Sequence, residues 1–409
     1  MRTLTRLGHQ LKAKSTSRPK VPTLIKTPPT TAGMSTSTAG TNLAALLRGA
    51  RETLVLEERA IPSPGPDEIL VRNRAIALNP IDWKRQAFGI ALPSNKTTIL
   101  GSDVAGEVVS VGSNVASFSS SSLSFAPGDR VLGSASAMVS GNLDHGAFQL
   151  YTLLSSTAAA KIPDAVSYPE AATLPTAMGT ATIALFHNLG LPLPSTSTST
   201  STPTPTTTTG EAEVKKDGIL VWGGATSCGS AAIQLARLAG LSNIYATASP
   251  RHHALVQSLG ASTVVDYHSP GTAVEDILSA AGRDGVEIRY AVVNVGDNDA
   301  FAAVKHILER SSQGKEGKKM KVASLARWPE EQVAKPEGAE VSWVMGMEVW
   351  GARKDLAAWL FNRNLTGWLE GGQVVPHAVR VVKGGIGGLQ TALDQLKAGV
   401  SGEKLVVEV

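Results

Sequence analysis

Cysteine is almost absent from this chain of 409 residues, which contains Cys228 alone. One cysteine excludes a disulfide within the chain and any zinc site that is built from several cysteines. It also fits a reducing compartment. Long apolar runs are lacking as well, since none reaches the roughly 18 residues that a membrane-spanning helix needs. We therefore expect neither a metal site nor a membrane partner.

Acidic residues are missing from the first 51 positions, which hold nine Lys or Arg. The remaining positions hold 29 basic and 34 acidic residues, so the formal net charge of +4 belongs to the N-terminal segment. A basic tail does not indicate a nucleic-acid-binding face, and we expect no nucleic-acid partner. Residues 1–42 are predicted to be a disordered leader or a transit peptide. The expected location is cytoplasmic, or mitochondrial if residues 1–33 act as a transit peptide.

The strand pattern of residues 43–165 indicates a small β-barrel-like domain. Short apolar runs separated by Gly- and Pro-rich turns occur at 54–57, 68–72, 75–78, 99–109 and 127–133. Residues 79–84 are expected to leave the third of these runs as a loop. The serine-rich run 117–124 is expected to lengthen a surface loop, which costs little stability.

Residues 166–348 show the alternation of strands and helices that is typical of a doubly wound parallel sheet. Apolar runs at 219–222, 244–248, 263–267 and 290–295 alternate with segments of helical periodicity. Residues 195–209 are almost wholly Ser, Thr and Pro, and they are predicted to be a disordered insertion within this domain.

A glycine-containing turn, 223–229, joins an apolar run to an apolar helical segment, and a second apolar run follows. Glycines at such a strand-to-helix turn let the backbone approach a phosphate, which the free N–H groups of the helix favour. Thr226 stands where the middle glycine of the G-x-G-x-x-G pattern would be, so the turn alone is a weak signal. The alternative is a tight turn without a ligand.

The end of the second apolar run indicates which dinucleotide would bind. An NAD-binding fold usually places Asp or Glu there to bond the ribose 2′-hydroxyl. This chain instead has Ser249, Pro250, Arg251 and His252. A hydroxyl and a guanidinium suit a 2′-phosphate and favour NADP. The alternative for Arg251 is an exposed loop arginine.

Several motifs together resemble the medium-chain dehydrogenase/reductase superfamily over about residues 43–409. They are Gly101-Ser102-Asp103-Val104-Ala105-Gly106-Glu107-Val108, Pro127-Gly128-Asp129-Arg130-Val131, the turn 223–229 with Ala232-Ile233-Gln234-Leu235-Ala236, Leu259-Gly260-Ala261, and Ser401-Gly402-Glu403-Lys404-Leu405-Val406. The resemblance implies an α/β fold with a GroES-like β-barrel catalytic domain and a Rossmann doubly wound parallel sheet. It also implies that residues 349–409 return to the catalytic domain.

Within that superfamily, zinc alcohol dehydrogenases carry a Cys on the first loop and a Gly-His-Glu triplet. Here the loop reads Asn79-Pro80-Ile81-Asp82, and the triplet position reads Gly101-Ser102-Asp103. The sequence looks closer to zinc-independent quinone and enoyl reductases, and it resembles the trans-acting enoyl reductases of fungal polyketide pathways. The resemblance implies that NADPH gives a hydride to an α,β-unsaturated carbonyl. The implied partners are a small-molecule or acyl-thioester substrate and a polyketide synthase.

The resemblance also assigns residues to the cofactor. They are Lys84 at the phosphates; Thr226 and Ser227 at the pyrophosphate turn; Ser249, Arg251 and His252 at the 2′-phosphate; Tyr267 at the adenosine; Val295 and Gly296 at the nicotinamide ribose; and Lys404 from the C-terminal segment. The candidates for the substrate cleft are Asn79, Asp82, Thr176 and Thr180, with Met178 and Gly179 in the same segment. No proton donor is assigned.

Structural roles remain open for several of these residues. Lys84 and Lys404 could be solvated, Tyr267 could be a phenol at the edge of the core, and Asp82 could cap a turn or helix. Thr180 could be a helix N-cap. His145 and His187 are expected to be structural, and Cys228 is not expected to be a nucleophile.

The alternatives for function are a quinone reductase, a mitochondrial enoyl-thioester reductase, and an NADPH-binding protein without turnover. The oligomeric state is expected to be monomer or homodimer.

Overall fold

The computed structural model describes residues 40–92, 97–117, 124–194, 217–313 and 319–409. In these ranges the strands are β1 (Thr41–Leu47), β2 (Val55–Ala60), β3 (Glu68–Ala77), β4 (Thr98–Ile99), β5 (Asp103–Val111), β6 (Arg130–Ser134), β7 (Tyr151–Ser155), β8 (Ala159–Lys161), β9 (Gly218–Trp222), β10 (Ile244–Thr247), β11 (Thr263–Val265), β12 (Ile288–Val293), β13 (Met320–Ser324), β14 (Ala339–Trp343), β15 (Val379–Val382) and β16 (Lys404–Glu408).

The α-helices in the same ranges are Pro80–Phe88, Ser113–Ser117, Ala137–Ser140, Tyr168–Ala172, Pro175–Thr182, Ser227–Leu238, His253–Ser258, Pro270–Asp284, Asn298–Ser311, Lys354–Ala357, Thr366–Glu370 and Leu389–Ala398. Two stretches continue helices with π-type hydrogen bonding, Ile183–Asn188 and Ala358–Leu365. None of the helices in the described ranges is long and apolar enough to cross a membrane.

The β-rich part of the chain forms one sheet in the order β15-β16-β3-β5-β6-β8, with β7 also paired to β3. A smaller sheet has the order β2-β1-β4. Strand β3 is continuous, although its sequence suggested two runs. Asn73 in its middle is buried, and its side-chain amide donates to Gln149 O and Thr152 Oγ1, both at 2.8 Å. The Asn73 side-chain NH2 group thus has acceptors inside the fold, whereas its Oδ1 has no hydrogen-bond partner among the described residues.

The second half of the fold is a six-stranded sheet in the order β11-β10-β9-β12-β13-β14, in which each neighbouring pair is parallel. The chain starts in the middle of the sheet, moves outward on one side and then crosses to the other. This confirms the predicted doubly wound sheet. Ligands of such sheets bind at the carboxyl ends of the strands where the order reverses, which here lies between β9 and β12.

The C-terminal residues return to the β-rich part of the chain. Strand β16 pairs antiparallel with β3, and β15 pairs parallel with β16. Helix Leu389–Ala398 buries Leu389, Leu393 and Leu396 in the same core as β1 and β3. By contrast, the helical stretch 354–370 packs Trp359, Phe361 and Trp368 into the core that also contains β9.

The prediction that residues 79–84 form a loop is wrong. They begin the helix Pro80–Phe88. Proline at the first helical position has a φ that suits the helix, and the Asp82 carboxylate accepts a hydrogen bond from the Asn79 backbone N–H at 2.8 Å. The predicted leader 1–42, serine-rich loop 117–124 and insertion 195–209 lie wholly or largely outside the described residues.

Candidate active site

A cleft of about 890 Å³ lies at the carboxyl ends of β9, β10 and β12 and faces the β-rich part of the chain. Residues from both parts line it, including Asn79 and Ser102 on one side and Thr226 and Val295 on the other. Residues of the glycine turn 223–229 and of the C-terminal segment 400–405 are among those that line it. This is the place where a doubly wound sheet binds its ligand.

The turn after β9 owes its shape to two glycines. Gly223 has φ +86°, which a side chain rarely allows. A Cβ on Gly229 would lie 2.2 Å from Gly223 O, so only glycine lets the helix Ser227–Leu238 approach the turn this closely. Thr226 caps that helix, because its hydroxyl accepts from the Gly229 N–H at 3.0 Å. The Gly223 N–H is held by Thr247 Oγ1 at 2.9 Å, a contact that the sequence did not suggest.

The first turn of this helix carries Ser227 and Cys228 at the cleft. The positive end of a helix favours an anion and would lower the pKa of a thiol there. Burial among surrounding atoms acts in the opposite direction and raises the pKa of the Cys228 thiol to about 11. The thiol is therefore protonated at neutral pH, and the expectation that Cys228 is not a nucleophile stays a prediction.

A cluster of polar side chains follows β10 at the mouth of the cleft. Ser249 Oγ lies 3.3 Å from the Tyr267 hydroxyl, and His252 Nε2 accepts from Arg251 Nε at 3.1 Å. Ser401 Oγ, from the C-terminal segment, lies 3.1 Å from the same nitrogen. Burial and the Arg251 charge lower the pKa of His252 below its usual value. The cluster therefore presents one guanidinium and several hydroxyls to solvent.

The floor of the cleft is a buried ion pair between Asp103 at the start of β5 and Lys404 at the start of β16. Lys404 Nζ lies 2.6 Å from Asp103 Oδ2 and 3.0 Å from Asn79 Oδ1. Asp103 also accepts from the Asn79 amide at 2.9 Å and from both the backbone N–H and the hydroxyl of Thr176, at 2.7 and 2.6 Å. Four chain segments thus meet at one carboxylate.

This network determines which hydrogen-bond donors at the floor of the cleft remain available to a ligand. The third contact of the Lys404 ammonium is Thr173 O at 3.4 Å, so its donors are directed into the protein. The contact between Lys404 and the cofactor stays a prediction. The three hydrogen bonds of its ammonium group go to protein atoms and give that prediction no support. The Thr176 hydroxyl likewise donates to Asp103 and not into the cleft.

Asp82 does not line the cleft. Its carboxylate is buried beneath it and accepts from the backbone N–H groups of Asn79 and Gly101, at 2.8 and 3.3 Å. Loss of hydration raises the pKa of Asp82 to about 6, which outweighs these hydrogen bonds and the nearby Arg85 charge. Asp82 thus has the geometry of a helix cap.

Five of the apolar residues that line the cleft are together called the apolar wall. It consists of Met138, Trp343, Met345, Val349 and Trp350. The Trp350 indole N–H donates to Ser134 O at 3.1 Å, which ties this segment to the end of β6. The sequence did not identify these residues, although Trp343 stands at the carboxyl end of a parallel strand, where site residues are expected.

The structure brings most of the predicted site residues together. Those that line the cleft are Asn79, Lys84, Thr176, Gly179, Thr180, Thr226, Ser227, Ser249, His252, Tyr267, Val295, Gly296 and Lys404. Arg251 does not line it and reaches the cluster only through His252. The suggestion that Thr180 caps a helix is wrong, because it lies in the last turn of Pro175–Thr182.

The two histidines expected to be structural make contacts away from the cleft. His145 bridges Ser140 and Glu68, and His187 lies beside Arg353. Within the described ranges, no group of three or more His, Cys, Asp or Glu side chains is placed to hold a metal ion.

Comparisons with known proteins agree with this architecture. The family model of the alcohol dehydrogenase GroES-like domain matches residues 65–164. The trans-enoyl reductase tndF of Aspergillus flavipes is 35% identical over 351 residues, which cover 85% of this chain and 93% of that protein. The dehydrogenase azaJ of Aspergillus niger is 36% identical over 380 residues, covering 90% of this chain and 99% of that protein.

Solved structures show the same fold. An alcohol dehydrogenase superfamily protein from Novosphingobium aromaticivorans superposes with a TM-score of 0.65 at 24% identity, covering 90% of this chain and 100% of that one. At this level of identity the likeness concerns the fold alone.

Proposed function

Since the chain belongs to the medium-chain dehydrogenase/reductase superfamily, we propose that it is a zinc-independent, NADPH-dependent enoyl reductase. The observation that carries the proposal is the cleft itself, which is lined by the glycine turn, by Ser249 and His252 of the cluster after β10, and by the apolar wall. The similarity to proteins named trans-enoyl reductase, at 33–35% identity, supports reduction of a carbon–carbon double bond.

The residues of the cleft fit a dinucleotide. Gly223 and Gly229 let the backbone approach a pyrophosphate, and the N-terminus of Ser227–Leu238 supplies N–H groups and a favourable dipole. After β10 the chain offers Ser249 and Arg251 where an NAD site usually has an acid. A guanidinium binds a phosphate dianion well, because it donates charge-assisted hydrogen bonds. These features favour NADPH.

The proposed mechanism assigns binding and orientation to the chain. When bound, NADPH supplies a hydride to the electron-poor carbon of an α,β-unsaturated carbonyl. The Asp103 network holds Asn79 and Thr176 in one geometry, so that the floor of the cleft is fixed before substrate binds. Trp343 and Trp350 give the cleft an apolar lining against which an acyl chain could pack.

Zinc independence is part of the proposal. Zinc needs a set of His, Cys or carboxylate donors, and the positions that carry Cys and His in zinc dehydrogenases hold Asn79 and Ser102 here. The Lys404 ammonium already contacts both Asn79 and Asp103, and it would repel a second cation at that place. A chelator should therefore leave the rate unchanged.

An acyl thioester is the proposed substrate and a polyketide synthase the proposed partner. The support is the similarity to trans-enoyl reductases together with the apolar wall, which suits an acyl chain better than a small polar substrate.

Oxidation of NADPH by a panel of enones, quinones and enoyl thioesters tests the activity. We expect turnover of the enoyl thioesters to exceed that of the quinones. Faster turnover of the quinones would indicate a quinone reductase instead, and no oxidation above the blank would leave a binding role only.

The cofactor preference has its own test. Arg251→Ala removes the guanidinium and should weaken NADPH binding by about 1.5–3 kcal/mol while NADH changes little, because only NADPH carries the 2′-phosphate. Arg283→Ala is the control, since Arg283 donates to Ser279 on a remote helix. Equal losses for the two cofactors in Arg251→Ala would contradict the assignment.

A further inference from the structure

The C-terminal segment contacts the cluster after β10 just before it enters β16. Ser401 Oγ lies 3.1 Å from His252 Nε2, and the backbone of Gly402 lies against the imidazole ring. Ser401 and His252 are 149 positions apart in the chain. The contact therefore joins the loop proposed to bind the 2′-phosphate to the segment that completes the β-rich sheet.

Two properties of Gly402, its backbone conformation and its lack of a side chain, allow the C-terminal segment to lie against the His252 ring. Its φ is +70°, in the left-handed region that side chains rarely adopt. A Cβ at this position would lie 2.2 Å from Cε1 of His252 and 2.7 Å from both ring nitrogens. A distance of that size cannot be tolerated, so any side chain at position 402 would push the ring away.

His252 in turn holds Arg251. A guanidinium can only donate, so His252 Nε2 accepts from Arg251 Nε and is approached by the Ser401 hydroxyl as a second donor. In the described part of the chain, no carboxylate lies within 4.0 Å of the Arg251 guanidinium. The hydrogen bond to His252, which itself lines the cleft, is thus the side-chain contact that restrains the exposed Arg251.

We propose that Ser401 and Gly402 are positioning residues for cofactor selectivity: they fix His252, which aims Arg251 at the 2′-phosphate. This inference rests on the proposed NADPH dependence and deepens it. Selectivity would then be set partly by a segment remote in sequence that contacts the 2′-phosphate loop at the His252 ring. Displacing the ring should weaken NADPH and spare NADH, because the other dinucleotide contacts lie elsewhere.

The test is the dissociation constants of NADPH and NADH, measured by fluorescence on the full chain without substrate. In Gly402→Ala the NADPH constant should rise about 10-fold, which corresponds to roughly one misplaced charge-assisted hydrogen bond. The NADH constant should stay within about twofold. Gly399→Ala is the matched control, because Gly399 also has positive φ, +105°, but nothing lies within 4 Å of its Cβ position. Both constants should change little there.

Two further variants separate displacement of Arg251 from general damage. Ser401→Ala keeps the backbone and removes only the hydroxyl contact, so it should fold and shift selectivity in the same direction by a smaller factor. In an Arg251→Ala background, Gly402→Ala should cause no further loss of NADPH binding, because its effect passes through Arg251.

Wild-type protein that does not prefer NADPH would refute the proposed cofactor. If the wild type prefers NADPH, unchanged selectivity in Gly402→Ala and Ser401→Ala would refute the positioning role alone. An equal shift in Gly399→Ala would refute it too, since backbone strain would then explain the effect.

Discussion

Replacing Lys404 by methionine removes the ammonium group that contacts the buried carboxylate of Asp103. The two side chains are 3% and 0% exposed, and their charged atoms are 2.6 Å apart. Methionine has a similar length and fits an apolar site, so the main change is an uncompensated buried charge. Breaking a buried ion pair in this way typically costs about 3–5 kcal/mol. We expect a loss of that size in the free energy of unfolding.

The second variant of the cycle is Asp103→Asn, which should also be destabilising because it leaves the Lys404 charge unpaired. The double variant, Asp103→Asn with Lys404→Met, contains neither charge and should be more stable than the sum of the single losses predicts by about 2 kcal/mol or more. Urea unfolding followed by fluorescence and circular dichroism gives the four free energies.

Strict additivity of the single losses would refute the view that Lys404 acts mainly on Asp103. Cofactor binding gives an independent measurement. If Lys404→Met left stability unchanged and weakened NADPH strongly, the residue would be a cofactor ligand, and the floor network would have no structural role.

Three further predictions concern single residues. The folded-state pKa of Asp82 is about 6 against 3.8 in an unfolded chain, so its contribution to stability is present at low pH and is lost as pH rises from about 4 to 6. The stability of wild type relative to Asp82→Asn, from urea unfolding, should therefore fall by about 3 kcal/mol between acid and neutral pH; a flat difference would contradict the raised pKa. Gly229→Ala should lose about 1–3 kcal/mol because its Cβ meets Gly223 O. Gly282→Ala, with open space at its Cβ and a helical backbone, should gain about 0.5–1 kcal/mol, and thermal melting that ranked the two glycines the other way would contradict this.

The parallel sheet could be predicted because its signals are local. Each strand is a short apolar run, as in Gly218–Trp222, and each is followed by a segment of helical periodicity. The turn at 223–229 and the polar residues after β10 were predicted for the same reason, because all the residues that indicate them lie within one βαβ unit.

The floor of the cleft could not be predicted from local patterns. Asp103 and Lys404 are 301 positions apart, and nothing near either residue indicates that they pair. Lys404 was therefore assigned to the cofactor by resemblance, whereas the structure directs its donors to Asn79, Asp103 and Thr173. The apolar wall was not predicted for the same reason, because Met138 and Trp350 are far apart in sequence and line one cleft only in the folded chain.

The helix Pro80–Phe88 is a different case, since its signals were present in the sequence. Proline followed two positions later by an acid marks a helix start, and Asp82 caps the backbone of Asn79 as that pattern requires. We predicted a loop because residues 79–84 directly follow a strand, and we interpreted Asn79, Pro80 and Asp82 as residues of a turn.

Transfer of labelled hydride tests the central claim most directly. NADPH carrying deuterium at both C4 positions is mixed with an α,β-unsaturated acyl thioester, and the product is examined by mass spectrometry and NMR. An enoyl reductase moves the deuteride to the β-carbon and leaves a solvent proton on the α-carbon, so the product should hold one deuterium at the β-position. Oxidation of NADPH without deuterium at that carbon, or no oxidation at all, would contradict the account.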